Sequence, residues 1–153
     1  MRAGGTSDRL PAVRIMVLSN MYPPYAYGGY EQSCQDVVER WRRSGHEVLV
    51  LTSEVRVSGV PEPQSGERRS VWRDLELYWE DHEIVDPPPL RRLAWERSNL
   101  ACLEQALSEF RPDVASAWAM GAMSLGLLGA LGRRHVPVVS VICDEWPIYG
   151  PVV

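Results

Sequence analysis

Residues 13–31 read VRIMVLSNMYPPYAYGGYE, and the rest of the chain is organised around this stretch. Its first seven residues are mostly branched and apolar, which is typical of a strand buried on both faces of a parallel sheet. Pro23 and Pro24 end the strand, because proline removes a backbone donor and fixes φ. Gly28 and Gly29 follow, and glycine allows positive φ and close approach of the backbone to a ligand. The stretch therefore predicts a strand that runs into a glycine-rich loop.

A helix is predicted directly after the glycine pair. Apolar side chains recur with helical spacing along one face, at Tyr30, Cys34, Val37, Val38 and Trp41. Gly45 stands where a left-handed C-terminal cap belongs. A strand, loop and helix in this order present free N–H groups and the positive end of the helix dipole at the carboxyl end of the strand. Such a place suits a phosphate or carboxylate, so Gly28 and Gly29 are candidate substrate-binding residues.

Strands and helices go on alternating along the chain. Residues 46–52 (HEVLVLT) predict a second buried strand, residues 114–118 and 136–141 predict two further strands, and residues 70–79 return to strand character. A long helix is predicted after residues 86–89 (DPPP), where Asp86 offers an N-cap. Its inner face is predicted to comprise Leu93, Leu100, Leu103, Leu107 and Phe110. This alternation predicts an α/β fold with a doubly wound, Rossmann-like parallel sheet.

Residues 114–132 carry no charge, and a run of ~20 apolar residues can cross a bilayer. We interpret the run as a strand followed by a helix from about Met120. Gly126, Gly129 and Gly132 would let that helix pack closely on the sheet. No transmembrane segment is predicted.

Five short motifs occur in a specific order. They are Ser-Asn-x-Tyr-Pro-Pro at 19–24, Gly-Gly-x-Glu at 28–31, Ser-Gly-His-Glu-Val at 44–48, Arg-Pro-Asp-Val at 111–114, and the strand 136–141 followed by Cys-Asp-Glu-Trp-Pro at 143–147. In this order they resemble the N-terminal domain of family 4 retaining glycosyltransferases of the GT-B fold, over residues 13–151. The resemblance implies the acceptor-side domain of an enzyme that transfers a sugar from a nucleotide diphosphate sugar to a hydroxyl acceptor.

Further candidate site residues lie at the ends of predicted strands. Glu31 either complements the dipole of the first helix or contacts a sugar hydroxyl. Asp144, the candidate catalytic residue, and Glu145 could accept hydrogen bonds from acceptor hydroxyls and orient them, or be solvated loop carboxylates. Trp118 and Trp146 could stack on a sugar or pack beneath the loops.

The sequence departs from the resembled family where that family often has histidines. Ser116 and Trp118 stand after the fourth strand, and Cys143 stands after the fifth. A retaining transfer does not require a strong protein base, because the departing phosphate oxygen can take the proton of the acceptor. Cys143 has no histidine nearby in sequence, which favours an inert thiol over a nucleophile. No metal site and no cofactor are predicted.

The composition limits which binding partners and which cellular compartment are expected. The 153 residues carry a net charge of −4, which gives no general attraction to nucleic acid. Three widely spaced cysteines are typical of reduced thiols in a cytoplasmic protein. Residues 90–95 (LRRLAW) are compatible with peripheral contact to the inner face of a membrane or to a lipid-linked acceptor.

The domain prediction comprises a disordered tail at residues 1–12 and an incomplete domain at residues 13–153. In the resembled family the nucleotide-sugar donor binds mainly to a second domain, so we expect this chain to be inactive alone. Two alternatives stay open, a non-catalytic sugar- or anion-binding module and part of a nucleotide-sugar epimerase. A nicotinamide-binding protein is disfavoured, because Tyr27 to Glu31 does not form G-x-G-x-x-G.

Overall fold

The computed structural model describes residues 11–63, 69–80, 82–143 and 145–149. Asp144 and most of the predicted tail lie outside these ranges. The strands in the described part are β1 (Arg14–Ser19), β2 (Glu47–Ser53), β3 (Val71–Leu75), β4 (Trp79–Glu80), β5 (Glu83–Ile84), β6 (Val114–Ala117) and β7 (Val138–Ser140). The helices are α1 (Gly29–Arg43), α2 (Pro89–Phe110), α3 (Gly126–Arg133) and α4 (Trp146–Tyr149).

Five of the strands form one sheet in the order β3-β2-β1-β6-β7, and every neighbouring pair is parallel. From the central β1, the chain first builds the sheet outward through β2 and β3, then returns to add β6 and β7 on the other side. The direction of winding therefore reverses between β1 and β6. This confirms the predicted α/β fold with a Rossmann-like parallel sheet, and it places the topological switch point beside β1.

The sheet separates two hydrophobic cores, because successive side chains of a strand point to opposite faces. Met16 and Leu18 of β1 belong to the core that includes Leu103 of α2 and Leu127 of α3. The other core contains Ile15 and Val17 of β1 together with Cys34 and Val38 of α1. Tyr30, Val37 and Trp41 pack against that second core, which confirms the predicted apolar face of α1. Gly45 follows α1 with φ of +92°, as the predicted cap requires.

The strand predicted over residues 70–79 is broken in the structure. β3 ends at Leu75, and Trp79 and Glu80 pair with a separate antiparallel strand, β5. Directly after β3, the backbone of Glu76 forms hydrogen bonds with a side chain instead of a neighbouring strand. The Glu76 N–H donates to Asn99 Oδ1 (2.7 Å), and Asn99 Nδ2 donates to the Glu76 carbonyl (3.0 Å). Asn99 lies on α2 and is 1% exposed. A polar residue within the helix thus satisfies both backbone groups of Glu76.

Replacing Asn99 with alanine is expected to lower the free energy of unfolding by about 2 kcal/mol, because both backbone groups of Glu76 lose a partner in a poorly solvated place. Urea denaturation would measure the change. Gln105→Ala is the matched control, since Gln105 is an exposed amide on the same helix that bonds only to Glu109 among the contacts described. An equal loss in the two variants would contradict the role assigned to Asn99.

Two predictions about α2 are wrong. Its N-cap is Pro88 instead of Asp86, and the Asp86 carboxylate instead accepts a hydrogen bond from Arg92. Leu93, predicted on the inner face, is 45% exposed. At this end of α2 the contact with β4 that the structure describes is polar, since Arg91 pairs with Glu80.

The chain after β6 also differs from the expectation. The helix begins at Gly126 rather than near Met120, and residues 118–124 form a buried loop. A Cβ at Gly126 would lie 3.0 Å from the Glu96 carboxylate and the Ser124 hydroxyl, whereas a Cβ at Gly132 would meet no atom of the described residues within 4 Å. Close packing therefore explains only the first of the three glycines, and it packs against polar side chains. Within the described ranges, no helix is long and apolar enough to span a membrane.

Candidate functional site

The loops that leave β1 and β6 are joined at the switch point by Asn20. Its backbone N–H donates to the Ala119 carbonyl (2.7 Å), and its side-chain Nδ2 donates to the Gly121 carbonyl (3.2 Å). The Asn20 carbonyl accepts a hydrogen bond from the N–H of Ser53 at the end of β2 (3.3 Å). Three strand ends are thereby tied together. Ligands of open parallel sheets bind in the crevice at this kind of edge.

An open groove of about 610 Å³ lies beside this edge, at the N-terminus of α1. Its lining brings together three of the predicted site residues, Gly28, Gly29 and Glu31. The described lining is completed by Tyr27, Tyr30, Ser33 and Cys143. Among these residues the glutamate is the only charged one, and there is no arginine to balance a bound diphosphate. The groove therefore favours a ligand rich in hydroxyl groups over a free polyanion.

The glycine pair does not serve a tight turn. Gly28 is extended, with φ of −154° and ψ of −170°, and Gly29 also lies outside the left-handed region. Neither glycine therefore uses the positive φ that glycine allows. A Cβ at Gly29 would meet none of the atoms of the described residues within 4 Å, so the described part of the chain leaves the space in front of it open. What glycine provides at this position is room for close approach to the start of α1.

Glu31 stabilises the entry to α1. It is 9% exposed, and its Oε2 accepts a hydrogen bond from the Gly28 N–H (3.0 Å), which is one half of a capping box. Burial, and secondly the charge of Glu31, raise the pKa of the Cys34 thiol to about 12. Cys34 is consequently an inert thiol at neutral pH. The Glu31 carboxylate also places a negative charge where the helix dipole would otherwise attract an anion.

Tyr30 links α1 to the chain that leaves β7. Its hydroxyl donates to the Val141 carbonyl and accepts a hydrogen bond from the Cys143 N–H (3.3 Å). Its ring lies 6.1 Å from that of Trp118, measured between centroids. The sequence placed Tyr30 only in the apolar face of α1, because helical spacing cannot indicate what a terminal hydroxyl contacts. The structure makes Tyr30 the side chain that holds Cys143 at the groove.

The two predicted tryptophans take packing positions. Trp118 is 4% exposed, and its indole N–H donates to the Ser116 hydroxyl (3.1 Å). Trp146 is 5% exposed and belongs to the core on the α2 and α3 face of the sheet, away from the groove. Glu145 is exposed, and its carbonyl accepts a hydrogen bond from Ile148 (2.8 Å). Asp144 lies outside the described residues.

Sequence reasoning missed Arg73 of β3, which holds the loop between β1 and the glycines. Its guanidinium donates to the carbonyls of Tyr22 (2.8 Å) and Pro23 (2.6 Å). It also lies 5.3 Å from the ring centroid of Tyr25 and 6.0 Å from that of Tyr22. Both rings are 2% exposed, and burial raises the pKa of Tyr22. An arginine within a strand carries no signal in the sequence that would pair it with a loop 50 residues away.

The geometry of this edge agrees with the family comparison. A family model, Glycosyltransferase Family 4, matches residues 27–149. The chain belongs to this family. No curated protein and no solved structure matches it. The match confirms the resemblance carried by the sequence motifs and supports a glycosyltransferase function with sugar-related substrates. In this family 4 domain, the matched residues include all the described residues that line the groove.

Proposed function

We propose that the chain is the acceptor-side domain of a retaining glycosyltransferase, which transfers a sugar from a nucleotide diphosphate sugar to a hydroxyl acceptor. The observation that carries the proposal is the open space before Gly29, at the N-terminus of α1 and the carboxyl edge of the sheet. A backbone that a ligand can approach this closely suits a sugar ring, whose hydroxyls match the N–H donors of the first helical turn.

The negative charge of the groove supports the proposal that the donor binds to a second domain. A nucleotide diphosphate carries several negative charges, and burying them requires cationic partners. The described lining of the groove has one carboxylate and no cation. The diphosphate is therefore assigned to a separate donor domain, while this domain presents the acceptor to the sugar.

The proposed reaction does not require the groove to supply a group that accepts a proton. In a retaining transfer on one face of the sugar, the bond from the anomeric carbon to the phosphate oxygen breaks. The acceptor oxygen bonds to that carbon, and the acceptor proton passes to the departing phosphate oxygen. No strong protein base is needed, which agrees with the absence of histidine from the described lining of the groove. Asp144 and Glu145 remain candidates for orienting the acceptor hydroxyl.

The test is a transfer assay on the chain alone and on a protein that also carries the donor domain. We expect no turnover of UDP- or GDP-sugars by the chain alone. We expect transfer with retained anomeric configuration, read by NMR, in the two-domain protein. In that protein Asp144→Asn should lower the rate about tenfold with donor affinity unchanged, because a charge-assisted hydrogen bond is lost.

Each part of the proposal can fail separately. Turnover by the chain alone would remove the need for a donor domain. Sugar binding without transfer in the two-domain protein would make the chain a non-catalytic binding module. An unchanged rate in Asp144→Asn would leave that residue a solvated loop carboxylate.

A further inference from the structure

A second cavity opens at the switch point and shares no lining residue with the groove. Its volume is about 110 Å³, and its apolar walls are formed by Met21, Leu77, Trp79, Ile84 and Ala122. We propose that this pocket, named here the ring pocket, binds a small neutral ring, aromatic or alicyclic, that carries a hydroxyl group. If the proposed function holds, this ring is part of the acceptor, and that assignment rests on the proposed function. The binding itself does not.

The size of the ring pocket sets the size of its ligand. An apolar cavity of the order of 150 Å³ holds a benzene ring, and about 110 Å³ suits one ring that keeps part of its surface toward the opening. A disaccharide or a nucleotide is too large to enter. Trp79, at one wall, offers an aromatic face or edge to such a ring.

The uncharged lining of the ring pocket indicates a neutral ligand. None of the described residues that line the ring pocket is charged, so a carboxylate or ammonium group would lose its hydration without compensation. The polar side chain of the lining is Asn20. Its Oδ1 accepts a hydrogen bond from the Met21 N–H (2.7 Å), and its Nδ2 donates to the Gly121 carbonyl (3.2 Å). An amide nitrogen has two N–H donors, so Asn20 can offer the second to a hydroxyl on the ring.

A strained residue at the wall is an independent sign of a binding site. Ala122 has φ of +58°, a left-handed conformation in which its Cβ crowds the backbone. The conformation is held because the Ala122 carbonyl accepts a hydrogen bond from the Tyr78 N–H (2.8 Å). Glycine would make the same bond without strain, so folding alone does not require alanine here. Residues strained in this way cluster at ligand sites, and the Cβ of Ala122 forms part of the wall.

The test is direct binding to the full chain, followed by NMR chemical shifts of backbone amides. The probes are benzyl alcohol and cyclohexylmethanol, with benzoate as the charged control. We expect both alcohols to bind with dissociation constants of about 1 mM or tighter and to shift the amides of Gly121 and Ala122. Benzoate should bind at least about tenfold more weakly, because its charge is not compensated.

Variants connect the binding to the ring pocket. Ile84→Trp, at the exposed edge of the hairpin, should fill the opening and weaken alcohol binding at least about tenfold. Ile148→Trp is the matched control, because Ile148 is also an exposed isoleucine but does not line the pocket, and it should leave binding unchanged. Ala122→Gly keeps the backbone conformation and removes part of the wall, so it should bind the alcohols severalfold more weakly while the protein melts at the same or a higher temperature.

The results separate this proposal from the function. If neither alcohol binds, if benzoate binds equally well, or if Ile84→Trp binds like the control variant, the ring pocket is not a site for neutral rings. If the alcohols bind as expected but the two-domain protein transfers no sugar to any acceptor, the ring pocket stands and the proposed function fails.

Discussion

Gly29→Val is expected to lower sugar transfer by at least about 100-fold while leaving the fold intact. The backbone at Gly29 lies outside the left-handed region, and a Cβ there meets no atom of the described residues within 4 Å, so valine fits the described part of the fold. Its two methyl groups then occupy the groove at the start of α1. A displacement of a bound sugar by about 1 Å is enough to lose this much of the rate. The rate would be measured in the two-domain protein, together with the melting temperature.

Gly132→Val is the matched control for this prediction. Gly132 also lies in a helix, where a Cβ would meet none of the described atoms within 4 Å, but it is on α3 and is not among the described residues that line the groove. The control should transfer sugar at the original rate. If folded Gly29→Val protein also transfers at the original rate, the glycine pair is a structural feature of the loop and the groove is not where the sugar binds.

Arg73→Ala should give the largest loss of stability, about 3 kcal/mol in the free energy of unfolding. Two charge-assisted hydrogen bonds to the carbonyls of Tyr22 and Pro23 disappear, and two buried aromatic rings lose the cation that packs on them. Arg73→Lys should recover less than half of the loss, because one ammonium group does not reproduce the two parallel donors of a guanidinium. Urea unfolding would measure the free energy of unfolding of the original protein and of the two variants.

Arg91→Ala provides the comparison for Arg73. Arg91 also packs on an aromatic ring, 4.5 Å from the centroid of Trp95, and also forms an ion pair, with Glu80. Its side chain is 51% exposed, so water already competes with the ion pair that the substitution removes. The loss in the free energy of unfolding should therefore stay below about 1 kcal/mol. A loss for Arg73→Ala no larger than that for Arg91→Ala would show that the loop after β1 is held by other contacts.

Much of the candidate site could be predicted from local sequence, because a strand that ends in proline and glycine before an amphipathic helix has few other arrangements. That pattern located Gly28, Gly29 and Glu31, and the structure brings them together in one groove. It could not locate Tyr30 as the side chain that fixes Cys143, since this contact joins residues 113 positions apart. The packing of Trp118 and Trp146 likewise depends on which loops cover them, which spacing alone does not determine.

The sequence by itself determined the periodic features of this protein. The apolar face of α1 and the buried strands β1, β2 and β6 follow from spacings of 3.6 and 2 residues and from continuous apolar runs, which act within one element. Only the tertiary structure decided where polar side chains replace a regular partner, as Asn99 does for Glu76 and Arg73 does for the loop at Tyr22. It also decided the exposure of Leu93 and the left-handed conformation of Ala122. The physical reason is that these features depend on contacts between distant segments, and a local spacing contains no information about which segments meet.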